Sequence, residues 1–267
     1  MLPTPLPSDD AGDVMYAQER QRQVLDALEE AGRVTVSDLA EHFDVTTETV
    51  RRDLDDLERR GLLARVHGGA IARRTREAEP DLDTRRTTNT QAKRRIADAA
   101  RELLPADPEA PVLLDAGTTT LALVPHLAER TGPVLTHALD VAQAALGLDG
   151  PPVHVLPGRL RAGTGAGVGA ETVGALARLR PEVAFLGCNG FDADELFTPD
   201  PEEGAVKSAI VERAGRRVLL ADSSKAQARR LVAFARTGDI DTLVTDSGLP
   251  ESLRAQLEDA GVEVVVA

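Results

Sequence analysis

Thr47, Glu48, Thr49, Arg51 and Arg52 crowd into positions 47–52. Short hydroxyls beside long guanidinium donors suit the reading of duplex DNA, because an arginine can bond two acceptors on guanine while threonine reaches phosphates or base edges. Arg65, His67, Arg73, Arg74 and Arg76 form a second basic group further along. A different chemistry follows. Asp115-Ala116-Gly117-Thr118-Thr119-Thr120 combines a carboxylate, a glycine and hydroxyls, a texture that can hold an anion on free N–H groups at a strand-to-helix turn. Gly187-Cys188-Asn189-Gly190 and Ala221-Asp222-Ser223-Ser224-Lys225 are two further small, polar runs. The chain's only lysines are Lys93, Lys207 and Lys225, and near a phosphate Lys207 and Lys225 would each serve as a point charge.

The elements that must position these groups are legible in the apolar pattern. Val24, Leu25 and Leu28 recur at helical spacing up to Gly32, predicting a first helix. Ser37 is the expected N-cap of a second helix carrying Leu39, Ala40 and Phe43. After an Asp44-Val45 turn, Thr46 or Thr47 caps a third, with Val50, Leu54 and Leu57 at i, i+4 and i+7. At about 100° per residue, Thr46, Val50, Asp53, Leu54 and Leu57 fall on the core side, and Glu48, Arg51, Arg52 and Asp55 fall opposite. Leu62 to Val66 and Ala70 to Ala72, joined by His67-Gly68-Gly69, predict a hairpin. Three helices and a hairpin make a winged helix-turn-helix, whose third helix enters the major groove while Arg65 and His67 on the wing meet phosphate or the minor groove.

Seven apolar runs then alternate with helical stretches: 111–114, 134–136, 153–156, 183–186, 218–221, 242–245 and 263–266. Such alternation predicts an α/β domain with a mostly parallel sheet, whose ligands bind beyond the carboxyl ends of the strands. The three polar runs lie at such ends and can converge. The expected organisation is a disordered tail over 1–15, a DNA-binding domain over 16–72, a linker over 73–92 and a sensing domain over 93–267. Met15 is an alternative start.

Composition narrows the classes. The chain has 267 residues, 42% hydrophobic and 28% charged, which is the make-up of a folded globular protein. One cysteine, Cys188, excludes an internal disulfide framework and a cysteine-based zinc site. The five histidines show no metal spacing and no catalytic triad can be assembled, so no metal, cofactor or catalytic residue is expected. Neither a signal peptide nor a run of about 20 apolar residues is present, which predicts a cytoplasmic protein without a membrane partner. The net charge of −13 opposes nucleic acid as a whole-chain average, so any DNA affinity must be local.

The run Val45-Thr46-Thr47-Glu48-Thr49-Val50-Arg51-Arg52-Asp53-Leu54, followed by Leu57-Glu58, Gly61-Leu62-Leu63 and Arg65-Val66-His67-Gly68-Gly69-Ala70, resembles the DNA-binding signature of DeoR-family transcriptional regulators. The order Asp115-x-Gly117-Thr118-Thr119, Pro157-Gly158-Arg159-Leu160, Val168-Gly169, Asn189-Gly190, Glu203 to Lys207 and Asp222-Ser-Ser-Lys225 resembles the same family's sensor domain. Pro157-Gly158 stands where family members often carry two glycines. The resemblance spans about residues 16–267. It implies a repressor of a sugar-metabolism operon, a sensor similar in fold to ribose-5-phosphate isomerase, and a phosphorylated sugar as effector, with fructose 1-phosphate a first candidate. Arg85, Asn89 and Lys93 resemble the family's lead-in to the sensor. Two-fold operator half-sites favour a homo-oligomer.

Two other readings compete. Gly165-Ala-Gly167-Val-Gly169-Ala170 satisfies the dinucleotide pattern G-x-G-x-x-A, but it does not directly follow a strand, and a loop or hairpin is the better reading. The alternative function is a sugar-phosphate isomerase-like enzyme with an accessory DNA reader, drawing a general base from Asp192, Asp194, Glu195, Glu202 or Glu203. The isomerase's glycine-rich loop with its lysine is absent.

Overall fold

The computed structural model describes residues 20–28, 33–59, 62–66, 68–72 and 82–267. The expected tail over 1–15, the helix stops Gly32 and Gly61, His67 and the basic residues 73–76 lie outside the described residues. The chain forms two units, dividing between Glu77 and Ala78.

In the first unit a helix over 20–28 (α1) precedes β1 (Arg33–Thr35), α2 (Val36–Phe43), α3 (Thr47–Arg59) and the hairpin β2 (Leu63–Val66) and β3 (Gly69–Ala72). Apolar residues at helical spacing bring Val24, Leu28, Leu39, Val50, Leu54 and Leu57 into one core with Val34, Leu63 and Ala70. The wing has three strands, because β1 pairs antiparallel with β3. The helix two cap differs from expectation: Thr35 takes it, accepting from the Asp38 N–H at 3.2 Å, and α2 begins at Val36. Ser37 has the right chemistry but already lies inside the first turn. Asp44 adopts the left-handed conformation that ends α2, and Thr46 caps α3 by accepting from the Thr49 N–H at 3.1 Å. Thr46 is exposed rather than on the core side, since a cap residue stands outside the helical wheel.

The second unit opens with α4 (Leu82–Thr87) and α5 (Thr90–Ala100), within and beyond the stretch expected as linker. Strands and helices then alternate: β4 (Val112–Leu114), α6 (Thr118–Leu123), β5 (Val134–Thr136), α7 (Leu139–Leu146) and β6 (Val153–Val155); then, past a small hairpin of β7 (Arg159–Leu160) and β8 (Gly167–Val168), α8 (Ala170–Leu176) and β9 (Val183–Leu186). The chain then makes β10 (Gly190–Phe191), β11 (Glu195–Thr198), α9 (Pro201–Arg213), β12 (Arg216–Leu220), β13 (Val232–Arg236), β14 (Thr242–Thr245), α10 (Glu251–Asp259) and β15 (Glu263–Val266). The parallel sheet has the order β15-β14-β12-β9-β4-β5-β6, and its seven members are the seven predicted runs.

Alternate residues of each strand face opposite layers. Leu113, Leu135, Ala184, Leu186, Leu219 and Leu243 pack with α8, α9 and α10, whereas Val112, Leu114, Val134, Phe185, Val218 and Val244 pack with α5, α6 and α7. A second, antiparallel sheet of β10, β11 and β13 was not expected. Gly165 to Ala170 forms part of the β7–β8 hairpin and the start of α8, not a strand-to-helix phosphate turn.

Candidate DNA-reading helix and ligand site

Packing of α3 through Val50, Asp53, Leu54 and Leu57 leaves Thr47, Glu48, Arg51, Arg52 and Asp55 exposed and Thr49 half-buried. Asp53 is buried because it receives Arg20 Nε from α1 at 2.5 Å, which fixes the helix against its neighbour. Arg51 lies 3.6 Å from Glu48 in an exposed pair, a contact weak enough to exchange for a phosphate or a base. Arg65 is less free. Its side chain reaches Asp55 of α3 at 3.4 Å, and its N–H donates to Glu58 at 2.9 Å, so the wing is tied to the reading helix.

In the second unit, β4 is an inner strand beside the central β9. The chain runs outward from it through β5 to β6, then returns to β9 on the other side and continues through β12 and β14 to β15. The point where the order reverses, between β4 and β9, leaves a crevice at the carboxyl ends where open α/β sheets bind ligands. Both flanking loops were singled out in the sequence.

Asp115, directly after β4, is fully buried. Its carboxylate accepts from the Gly187 N–H after β9 at 2.9 Å, from His137 Nε2 after β5 at 2.9 Å, and from Lys207 Nζ of α9. Burial pushes its pKa up, but the Lys207 charge and the bonds from His137 and Lys207 outweigh that and hold it well below the usual carboxylate range. His137 Nδ1 lies 2.8 Å from Gly167 O, and Lys207 also donates to Gly187 O at 2.9 Å. Asp115 and Lys207 are therefore a buried pair that ties β4, β5, β9 and α9 together.

Further groups of the same loops surround that pair. The Thr120 hydroxyl is within 2.8 Å of both Asp115 O and Gly117 O, which locks the turn into α6. The Thr118 and Thr119 hydroxyls have no hydrogen-bond partner among the described residues. Lys225 donates to Cys188 O at 2.7 Å. Asn189 is half-buried, its Oδ1 accepting from the Thr198 hydroxyl at 3.4 Å. Asp222 is buried and caps the turn at Ser224. Cys188 is a core residue, and burial pushes its thiol pKa up, as suits a small hydrophobe.

The lead-in segment joins this cluster. Asn89 occupies the N-cap position of α5 in the left-handed conformation, yet its side chain does not cap the helix. Instead its Nδ2 donates to Asp222 Oδ1 at 3.0 Å and Ser224 Oγ at 3.3 Å. Lys93 is buried and donates to Arg85 O and Thr88 O, closing α4 onto α5. Burial, then the charges of Lys225 and Arg85, lower its pKa to about 8 against the pull of Asp222. Burial likewise lowers that of Lys225. Among the described residues no three His, Cys, Asp or Glu gather to hold a metal, and no helix is long and apolar enough to cross a membrane.

Comparison with known proteins bears on both units. Residues 20–76 match the family model of the DeoR-like helix-turn-helix domain, and residues 88–247 match that of the DeoR C terminal sensor domain. The chain is 35% identical over 254 residues to the HTH-type transcriptional regulator GlpR of Haloferax volcanii, covering 94% of this chain and 98% of the relative. It is 32% identical to the putative aga operon transcriptional repressor of Escherichia coli O157:H7, covering 95% of both chains. It is 29% identical to the glycerol-3-phosphate regulon repressor of Escherichia coli K12, covering 94% and 99%. These relatives are regulators, not enzymes. Among solved structures, ribose 5 phosphate isomerase A from Neisseria gonorrhoeae is similar at a TM-score of 0.37 and 16% identity, over 52% of this chain and 54% of that one.

Proposed function

The chain belongs to the DeoR family of transcriptional regulators, and on that premise we propose that it represses a sugar-metabolism operon and leaves its operator when a phosphorylated sugar binds the second unit. Thr47, Glu48, Thr49, Arg51 and Arg52 read the major groove, with Arg65 and His67 supporting from the wing. Gly117, Thr118, Thr119, Asn189, Asp222 and Lys225 contact the effector, while Asp115 and Lys207 hold the loops that carry them. The names of the relatives support a phosphorylated small molecule, one being a glycerol-3-phosphate regulon repressor.

The observation that carries the reading is the charge balance at the crevice. Lys207 is ion-paired with Asp115, whereas Lys225 bonds the neutral Cys188 O, and its charge and that of Lys93 act on each other beside Asp222. A phosphate group adds a negative charge opposite Lys225 and gives the Thr118 and Thr119 hydroxyls an acceptor. Release from DNA then follows if the effector binds more tightly to the arrangement that cannot grip the operator.

A thermal-shift series with phosphorylated sugars, beginning with fructose 1-phosphate, against their unphosphorylated parents tests this. A ligand at a hundred times its Kd stabilises the folded chain by about 2.7 kcal/mol. The expected result is a shift from at least one phosphorylated sugar, lost in Lys225→Ala, together with release of operator DNA. No shift from any of them, or release that persists in Lys225→Ala, overturns the assignment.

A further inference from the structure

The face of the sheet that carries α8, α9 and α10 is incompletely covered near β6. A groove of about 750 Å³ lies there, floored by Leu135 and Leu156 and walled by Ala175 and Leu179. Along its rim run Glu171, Gly174 and Arg178, all exposed. Arg178 belongs to the turn that prolongs α8, its N–H donating to Ala175 O at 3.2 Å.

Gly174 is unexplained by its own chain. It lies inside a helix with no positive φ, and a Cβ built on it meets nothing within 4 Å. Glycine in a helix interior costs roughly 0.5–1 kcal/mol relative to alanine, so neither backbone conformation nor internal packing accounts for it. A glycine there leaves room for a second backbone to approach. Glu171 and Arg178 have no ion-pair partner among the described residues, although both stand at the rim of an apolar groove.

We propose that this groove is the contact between two copies of the chain, with α8 packed antiparallel on α8 of the second copy about a two-fold axis passing near Gly174 and Ala175. The charges specify that occupant. Glu171 and Arg178 lie equally far to either side of the Gly174-Ala175 midpoint, about 10 Å apart at 1.5 Å per residue. An antiparallel partner sets Glu171 of each copy against Arg178 of the other, the self-matching arrangement that a two-fold interface requires. A strand laid along the β6 edge is the less favoured guest, because Pro151, Pro152 and Pro157 bracket a strand of only three residues and remove donors from the edge. The surface gives a place to the homo-oligomer that two-fold half-sites call for, and it holds whichever effector is bound.

Sedimentation equilibrium of the full chain, without DNA or ligand, tests the proposal. A concentration-dependent dimer is expected. Gly174→Leu should weaken it by about tenfold or more through loss of close approach. The unfolding midpoint of this variant, read at a dilution where the parent is monomeric, should not fall, because leucine is the better helix former. Arg178→Glu and Glu171→Arg should each weaken association comparably by opposing like charges, and the double exchange E171R/R178E should restore it. A chain that stays monomeric, single variants that associate like the parent, or a double exchange no tighter than the singles would each overturn the interface.

Discussion

Asp115 shows how burial changes the meaning of a residue. In the sequence it stands in a run suited to an anion, as Lys207 stands out by rarity, yet the two bond each other inside the protein. Removing one partner strands the other. Lys207→Met should therefore cost about 3–5 kcal/mol, the range for breaking a buried ion pair, read as a lowered urea midpoint. Lys93 gives a pH signature. Its pKa is lowered to about 8 in the folded chain from 10.5, so between these values the unfolded chain binds more protons and this group makes stability rise with pH. A bound phosphate favours the charged lysine. Below about pH 8 the ammonium is already present and affinity is full; above it the free protein sheds the proton, and phosphate affinity should fall by up to about tenfold per pH unit. Calorimetric titration from pH 7 to 9.5 measures this, and a flat profile shows that a bound phosphate does not sense the Lys93 charge. The Asn89 bond to Asp222 was beyond sequence reasoning, since it joins residues 133 positions apart.

At the scale of elements, the inner parallel strands were legible because both faces of each are covered, leaving short uninterrupted apolar runs such as Val183–Leu186. The small sheet escaped because β10 has two residues and β13 alternates only weakly between buried and exposed positions. Likewise Thr35 and Ser37 are equivalent cap chemistries, and only the backbone entering from β1 chooses between them. The Pro157-Gly158 turn places its conformational demand on the second residue. Gly158 has φ of +147°, and a Cβ there would lie 2.1 Å from the Thr172 hydroxyl and 2.9 Å from Val168 O. Proline is thus compatible at 157, whose carbonyl accepts from that hydroxyl at 2.7 Å. Gly158→Ala should destabilise the second unit by about 1–3 kcal/mol, detectable in chemical unfolding.

For the molecule as a whole, the net charge of −13 and the exposed arginines of α3 divide the labour of recognition. An anionic body discourages indiscriminate binding to phosphate, while a few arginines retain local attraction. Arg51→Ala and Arg52→Ala should each cost about 1–3 kcal/mol of specific operator binding if they contact bases. A residue that touches only phosphate would instead weaken all sequences alike and flatten the salt dependence by about one ion. Gel-shift titrations on operator and scrambled duplexes at several salt concentrations separate these outcomes, and unchanged affinity in both variants removes α3 from the interface.

The bond from Asn89 to Asp222 sits about a dozen residues after Ala78, where the second unit begins. On the proposed reading, a guest settling among Asp222, Ser224 and Lys225 would compete with the Asn89 side chain for the same partners. The carboxylate that anchors the head of α5 would then be the one that a bound anion disturbs first, while the parallel sheet keeps its register.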